Sequence, residues 1–330
     1  MFTEEVISFR EAKPLLETCG LYPVERADLR LGLFDAQGEL AATGALVGDM
    51  LQMLAVHPRY QGEDLSAKLV TALLREASAR GKRCVYLIAK AGSAGQLEEL
   101  GFRRIAGTGT AVLLERGNPG IREFCRTLEQ YRTGGKTGCI VMNANPFTKG
   151  HRYLAEQACA CCDRVIVLAV EEDRSEFPFE IRLELIRQGL SDLPQVTVLS
   201  GSRYVISDLT FPAYFVRDAV RSRAESELDA VLFGTYIAPA LGVTDRFVGT
   251  EPLSASTAVY NDTLQRLLPG YGVEVQTVER ETADGRPVSA SEVRRALAAG
   301  DRETVRALVP DSTWAYLEEN WQTAAQYCMK

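Results

Sequence analysis

The chain has 330 residues, enough for two domains of common size, and a formal net charge of −7. Hydrophobic residues make up 46% of the chain and charged residues 25%, as in a globular protein. The acidic balance argues against nucleic acid or an anionic membrane as the main partner. No signal peptide is visible, and no apolar run approaches the roughly 20 residues that span a bilayer. The eight cysteines have neither disulfide nor metal-ligand spacing, so we expect a reduced, cytoplasmic protein without a metal site of its own.

The first part of the chain alternates between strand and helix patterns. Apolar runs rich in β-forming residues predict strands at residues 29–34, 40–46, 50–56 and 84–89, the first two joined by a hairpin turn. Between the last two, Leu65, Leu69 and Leu73 lie on one face of a helix predicted from about residue 65 to residue 80. We therefore predict an α/β domain for residues 1–115.

This domain resembles the GNAT acetyltransferase superfamily. The resemblance rests on Val56, Pro58, Gln61 and Gly62 at the end of the third strand and on Leu100-Gly101-Phe102 further along. It implies a GNAT-like fold with a cradle of backbone amides for the pyrophosphate of acetyl-CoA. Asp64 and Ser66, however, stand where that family has small residues. A carboxylate there repels pyrophosphate, and its Cβ hinders close backbone approach. We therefore expect this domain to have a GNAT-like fold but not to turn over acetyl-CoA.

Residues 116–138 are predicted to form a linker and a helix. The sequence Gly117-Asn118-Pro119-Gly120 punctuates the chain, and a helical pattern follows from about residue 121 to residue 131. A second domain, residues 139–330, begins with the buried strand 139–142.

The stretch after this strand carries the strongest chemical signal. A short loop contains Asn145-Pro146, and helical spacing begins at Gly150. Such a strand–loop–helix unit aims free backbone N–H groups at the loop, which attracts phosphate. Thr148 and His151 are three residues apart and lie on one side of the first helical turn. Both side chains can hydrogen-bond phosphate oxygens.

The remaining chain predicts a doubly wound parallel sheet, because strands alternate with helices. The predicted strands are residues 164–170, 196–199, 229–234, 246–252 and 273–278, and the predicted helices include residues 180–189 and 214–223. A charged loop, residues 171–179, follows the first of these strands at the edge where open α/β sheets bind ligands. Gly234, at the end of strand 229–234, would let a flat base lie against the backbone.

A second phosphate element is predicted near the carboxyl end of the chain. Ser289 and Ser291 stand at the start of a helix, and Arg294 follows one turn later. Ser291 and Arg294 can face the same phosphate because they are three residues apart.

The two elements resemble the signatures of the nucleotidyltransferase superfamily, T/H-x-G-H and I-S-S-T/S-x-x-R, with Ala290 in place of one hydroxyl. The resemblance implies a Rossmann-like, HUP-type domain that binds a nucleoside triphosphate during attack at the α-phosphorus. It implies catalytic roles for Thr148, His151 and Arg294. The residues that it places at ATP or its phosphates are Asn145, Phe147, Lys149, Gly150, Gly234, Ser289 and Ser291.

Longer strings resemble the citrate lyase ligase family, which joins a GNAT-like domain to such a catalytic domain. These strings are residues 138–148, 171–179 and 246–252. The resemblance implies that ATP and Mg²⁺ activate acetate, and that the acetyl group passes to the thiol of the dephospho-CoA-type arm on the citrate lyase acyl carrier subunit. Two alternatives remain open: a nucleotidyltransferase acting on a phosphorylated small molecule, and a regulator that senses nucleotide or acyl-CoA.

Overall fold

The computed structural model describes residues 2–171, 175–205, 218–250, 255–283 and 286–329. The chain divides into two compact units. Unit 1 comprises Met1–Thr127 and Asp208–Leu232, and unit 2 comprises Leu128–Ser207 and Phe233–Lys330.

The elements up to residue 129 are β1 (Thr3–Val6), α1 (Phe9–Thr18), β2 (Leu29–Phe34), β3 (Leu40–Val47), β4 (Met50–Val56), α2 (Leu65–Ala79), β5 (Cys84–Lys90), α3 (Ala94–Glu99), β6 (Arg103–Gly107), β7 (Ala111–Gly117) and α4 (Ile121–Glu129). The elements that follow are β8 (Thr137–Met142), α5 (Lys149–Cys161), β9 (Arg164–Ala169), α6 (Phe179–Gly189), β10 (Val196–Ser200), α7 (Asp218–Leu232), α8 (Ala238–Leu241), β11 (Asp245–Gly249), α9 (Ala255–Leu267), β12 (Glu274–Val278), β13 (Thr282–Ala283), β14 (Arg286–Pro287), α10 (Ala290–Ala299), α11 (Arg302–Leu308), α12 (Asp311–Glu319) and α13 (Trp321–Cys328).

Unit 1 contains a seven-stranded sheet in the order β1-β2-β3-β4-β5-β7-β6. Its neighbouring strands are antiparallel except β4 and β5, which pair in parallel only at Met50 with Tyr86 and at Leu51 with Leu87. The two strands therefore separate beyond this point. Helix α2 covers one face of the sheet with Leu65, Leu69 and Leu73, each exposed by 1% or less. This is the GNAT-like fold expected from the sequence.

Unit 2 contains a sheet of five parallel strands in the order β10-β9-β8-β11-β12. Val165, Ile166, Val167 and Leu168 of β9 are all fully buried, so both faces of the sheet are covered. The chain runs outward from β8 through β9 to β10 and then returns to β8's other side with β11. This reversal creates a crevice at the carboxyl ends of β8 and β11, where open α/β sheets bind ligands. The predicted doubly wound sheet is confirmed.

The strand predicted at residues 229–234 is wrong. Residues 229–232 end helix α7, and Phe233–Ile237 continue it as one wider, π-type turn. Buried Ala224, Leu228 and Leu232 are spaced four apart, which is the helical period. A short apolar run cannot by itself distinguish a buried strand from a buried helix, and the residues before it decide in favour of the helix. Parts of two other predicted elements, residues 214–217 and 251–252, lie outside the described residues.

Candidate active site

Helix α5 begins at the carboxyl end of β8 and is capped by Thr148. The Thr148 hydroxyl accepts the His151 backbone N–H at 3.4 Å, and the Thr148 backbone N–H donates to His151 Nδ1 at 3.1 Å. The same hydroxyl lies 2.8 Å from Nδ1. Thr148 is 2% exposed, so its hydroxyl is held in place and orients the imidazole ring. The first turn of α5 therefore fixes the His151 ring beside the carboxyl end of β8.

These hydrogen bonds assign the protonation of His151. Because Nδ1 accepts the Thr148 N–H, the hydrogen of a neutral ring is on Nε2, which has no hydrogen-bond partner among the described residues. Burial of the ring, helped by the positive charge of Arg280, lowers the His151 pKa to about 4. His151 is therefore neutral at pH 7 and offers one N–H donor to an anionic ligand.

Phe147 supports this ring from within the core. It is fully buried and stacks on His151 with ring centroids 5.7 Å apart and planes inclined by 22°. It also packs against Gly189 of α6, where a side chain would collide with the Phe147 ring. The structure thus places the Phe147 side chain behind the imidazole, where it holds the position of His151.

Gly150 allows the two predicted phosphate elements to meet. A Cβ at Gly150 would lie 3.4 Å from the carbonyl oxygen of Val288, the residue before Ser289. The neighbouring Lys149 extends away from this contact and donates to the Ala307 carbonyl at 2.7 Å, which ties the start of α5 to helix α11. The starts of α5 and α10 are therefore adjacent, with their unpaired N–H groups in the same region.

Arg294 joins the second element to the first. Its Nη1 donates to the Asn145 carbonyl at 2.6 Å, and its Nη2 donates to Ser291 Oγ at 3.3 Å. Its Nε lies 3.0 Å from Glu176 Oε1. Ser289 is the N-cap residue of α10, but its side chain makes no capping hydrogen bond. Of the predicted residues, Asn145, Thr148, Gly150, His151, Ser291 and Arg294 thus belong to one connected region.

Gly234 does not end a strand, so the position from which it was predicted to contact a nucleotide base does not exist in the structure. It lies in the π-type turn Phe233–Ile237. A Cβ at Gly234 would lie 2.4 Å from the ring of Tyr271. The absence of a side chain here makes room for that tyrosine.

Three residues that are not among the predicted site residues contribute to the site. Arg182 is fully buried and donates to the carbonyls of Asn143, Val170 and Phe177, which holds the loops after β8 and β9 together. Arg280 follows β12, and its Nε donates to the Thr250 carbonyl at 2.8 Å. Glu176 binds both Asn145 and Arg294. All three lie in or beside segments that join a strand to the next element. The sequence pattern predicts that ligands bind at this edge of the sheet, but it does not identify the individual residues.

In unit 1, the start of α2 differs from a phosphate cradle in the way that the sequence predicts. Asp64 is its N-cap residue, has a φ of +52° and makes no side-chain capping bond. A groove of about 760 Å³ nearby is lined by residues that include Asp35, Arg59, Tyr60 and Glu63. Carboxylates outnumber cations among these four, which is unfavourable for pyrophosphate.

Comparison with known proteins decides the family. The family described as "Citrate lyase ligase C-terminal domain" matches residues 137–317. A protein of Klebsiella pneumoniae named "[Citrate [pro-3S]-lyase] ligase" is 41% identical over 310 residues, covering 90% of this chain and 91% of that protein. The protein of the same name from Escherichia coli (strain K12) is 39% identical and covers 85% and 82%; the one from Haemophilus influenzae is 36% identical and covers 85% and 86%. The chain belongs to the citrate lyase ligase family.

The matched region begins with β8 and ends within α12, so it contains both predicted phosphate elements. The sequence similarity to the three relatives extends over most of the chain and is not confined to that region. Among the described residues, no helix is long and apolar enough to cross a membrane. The described part also contains no cluster of three His, Cys, Asp or Glu residues arranged for a metal ion.

Proposed function

We propose that this ligase uses ATP to activate acetate as acetyl-AMP and then acetylates the thiol of the dephospho-CoA-type arm on the citrate lyase acyl carrier subunit, releasing AMP and pyrophosphate. The observation that carries the proposal is the meeting of the α5 and α10 helix starts, with neutral His151 and Arg294, at the carboxyl edge of the parallel sheet. This arrangement supplies hydrogen-bond donors at one place, as charge stabilisation on phosphates requires. Membership of the citrate lyase ligase family supports the substrate.

In the first step, an acetate oxygen attacks the α-phosphorus, a P–O bond forms, and the bond to the leaving pyrophosphate breaks. Acetate is ionised at pH 7, so no general base is needed. The step needs stabilisation of the charge that builds up on the phosphates. His151 Nε2–H, Arg294 and the free amides of α5 and α10 are the donors that we assign to it.

The donor set fits a triphosphate, and a triphosphate would bring its own Mg²⁺ to the site. Mg²⁺ binds chiefly through phosphate oxygens and water, so it requires no cage of protein ligands. When bound, it would supply further charge neutralisation on the phosphates.

In the second step, the sulfur of the carrier arm attacks the acetyl carbon. A C–S bond forms, the bond between the acetyl carbon and the phosphate-bound oxygen breaks, and AMP leaves. The chain's own buried thiols are poor candidates for an intermediate acceptor. Burial raises the pKa of Cys139, and it raises that of Cys162 to about 11, so neither is a thiolate at neutral pH. We therefore assign the nucleophile to the carrier.

The test is ATP–pyrophosphate exchange with the full-length chain, measured with and without acetate. We expect exchange that depends on acetate, followed by AMP release and thioester formation when the carrier subunit is added. Exchange that ignores acetate and requires a phosphorylated small molecule would favour an ordinary nucleotidyltransferase. A complete lack of exchange, with nucleotide still bound, would favour a sensor. Either result would contradict the proposed function.

A further inference from the structure

Glu176 connects the two phosphate elements through a ring of hydrogen bonds. Its Oε2 accepts from Asn145 Nδ2 at 2.5 Å, and its Oε1 binds Arg294 Nε at 3.0 Å. Arg294 Nη1 closes the ring by donating to the Asn145 carbonyl at 2.6 Å. Asn145 belongs to the loop before α5 and Arg294 to α10, so the carboxylate holds one element to the other.

The ring leaves Arg294 able to bind a ligand. A guanidinium group has five N–H donors in a fixed plane. Glu176, Asn145 and Ser291 take one hydrogen each from Nε, Nη1 and Nη2. Within the described residues, one N–H on each terminal nitrogen therefore remains for phosphate oxygens. Because the plane is fixed at three points, the direction of these two donors is set before any nucleotide arrives.

The ring lies at the border between the buried and the exposed part of the site. Asn145 is 7% exposed, the Arg294 side chain 23% and the Glu176 side chain 37%. Water therefore reaches the carboxylate, while its two partners are mostly shielded, and the charged hydrogen bonds depend chiefly on their geometry. Burial raises the pKa of the nearby Cys328 thiol on α13 to about 11, so this thiol adds no charge at neutral pH.

We propose that Glu176 is a positioning residue for adenylate formation: it orients the Arg294 guanidinium toward the phosphates and couples the two phosphate elements. This inference rests on the proposed function and adds to it a residue that touches neither substrate. A precise guanidinium direction matters more for rate than for binding, because small displacements of a stabilising group are costly in the transition state. Replacing Glu176 by a neutral residue would have two opposing effects on ATP binding. Arg294 would be less well oriented, but a negative charge near the triphosphate would be removed.

The decisive variant is Glu176→Gln. Its amide must turn an NH₂ group toward either Asn145 Nδ2 or Arg294 Nε, and both are donors. Asn145 cannot reverse its own amide without losing the bond from the Phe177 N–H to its Oδ1, which is 3.0 Å long. The substitution therefore breaks one link of the ring without changing the side chain's size. Glu184→Gln is the matched control, since Glu184 is on the same unit, is exposed and, within the described part of the chain, accepts a side-chain hydrogen bond only from Gln188 of the same helix.

We expect the exchange kcat of Glu176→Gln to fall about tenfold or more while the Kd for ATP changes less than about threefold. Glu176→Asp, which keeps the carboxylate, should recover part of the rate, and Glu184→Gln should match the wild type. In an Arg294→Lys background, Glu176→Gln should cause no further loss, because the guanidinium that it orients is absent. An unchanged kcat, equal losses in the Asp and Gln variants, or losses that multiply in the double variant would overturn the inference.

A spectroscopic measurement tests the ring without relying on acetate chemistry. The Nε–H resonance of Arg294, identified by its absence in Arg294→Lys, should persist when ATP is added and should shift in Glu176→Gln. Disappearance of the signal on ATP addition would mean that the nucleotide displaces Glu176, which contradicts a positioning role. Absence of acetate-dependent exchange in the wild type would instead refute the proposed function, and the resonance would still decide the inference.

Discussion

The two ring nitrogens of His151 have different roles, which the sequence alone does not distinguish. Nδ1 is an acceptor within the cap of α5, whereas Nε2–H is the donor left for a ligand. We predict that His151→Asn keeps the fold, because its Oδ1 can replace Nδ1, but lowers the rate of acetyl-AMP formation about 10²- to 10³-fold, the usual cost of losing one preorganised donor. His151→Gln, whose amide N–H can reach the Nε2 position, should retain more activity. The measurement is acetate-dependent exchange with unfolding curves for each variant. Near-normal turnover in folded His151→Asn would remove His151 from the catalytic donors.

The depressed pKa of His151 also predicts a pH dependence of stability. With a pKa of about 4 in the folded protein and about 6.5 in the unfolded chain, the unfolded state binds more protons between these values. The free energy of unfolding should therefore fall as pH is lowered through this window, by up to about 3 kcal/mol from this group. Urea unfolding at pH 7 and pH 4.5 should show a smaller decline in His151→Asn, which does not titrate. Parallel declines in both proteins would contradict the assignment of a neutral, buried imidazole.

At the scale of elements, sequence patterns predicted what is periodic and missed what depends on distant contacts. Strand β8, the start of α5 and the start of α10 follow directly from apolar runs and cap residues. The helical structure of segment 229–234 was not predicted, because its apolar run suits a strand as well as a helix. The ring formed by Glu176 with Arg294 could not be foreseen either. Their separation in sequence gives no period or motif, and only the fold brings them together.

The close approach of α5 and α10 yields a prediction for Gly150→Ala. The added Cβ would lie 3.4 Å from the Val288 carbonyl oxygen and 3.5 Å from its Cβ, which is van der Waals contact, so the methyl group fits without displacing α10. We expect the exchange kcat to stay within about threefold of the wild type and the free energy of unfolding to rise by up to about 1 kcal/mol, because alanine favours a helix over glycine. Gly134→Ala, where a Cβ meets nothing within 4 Å and which lies outside a helix, is the control. A loss of stability or a tenfold loss of rate in Gly150→Ala alone would show that the two helix starts approach more closely than the contact at Val288 indicates.

At the scale of the whole molecule, unit 1 is discontinuous in sequence, because its second segment follows the first part of unit 2. Helix α7 belongs to unit 1 together with residues 1–127, although it follows β10 in sequence. Its buried residues Ala224, Leu228 and Leu232 would lose their packing if residues 1–115 were removed. A truncation at the predicted boundary is therefore a poor test of what unit 1 does. Point substitutions on its surface are better suited.

Unit 1 has a GNAT-like fold, but the start of α2 carries a carboxylate at Asp64. We predict that the full-length protein transfers no acetyl group from acetyl-CoA to amines and binds acetyl-CoA too weakly for calorimetry, because like charges repel at the diphosphate position. The same repulsion acts on the diphosphate of the carrier arm, so we infer that unit 1 docks the protein part of the acyl carrier, with exposed Arg59 and Lys68 beside the start of α2 as contacts for its acidic side chains.

The double variant Arg59→Glu with Lys68→Glu should then leave acetate-dependent exchange within about twofold of the wild type, since that reaction needs only unit 2's donors. Acetylation of the carrier subunit should fall about tenfold or more, because each reversed charge replaces attraction by repulsion at an anionic partner. Arg26→Glu, an exposed charge reversal elsewhere in unit 1, is the control. Unaltered carrier acetylation in the double variant would exclude this surface as the docking site, and tight acetyl-CoA binding with transfer to an amine would show that the GNAT-like unit keeps an acetyltransferase activity of its own.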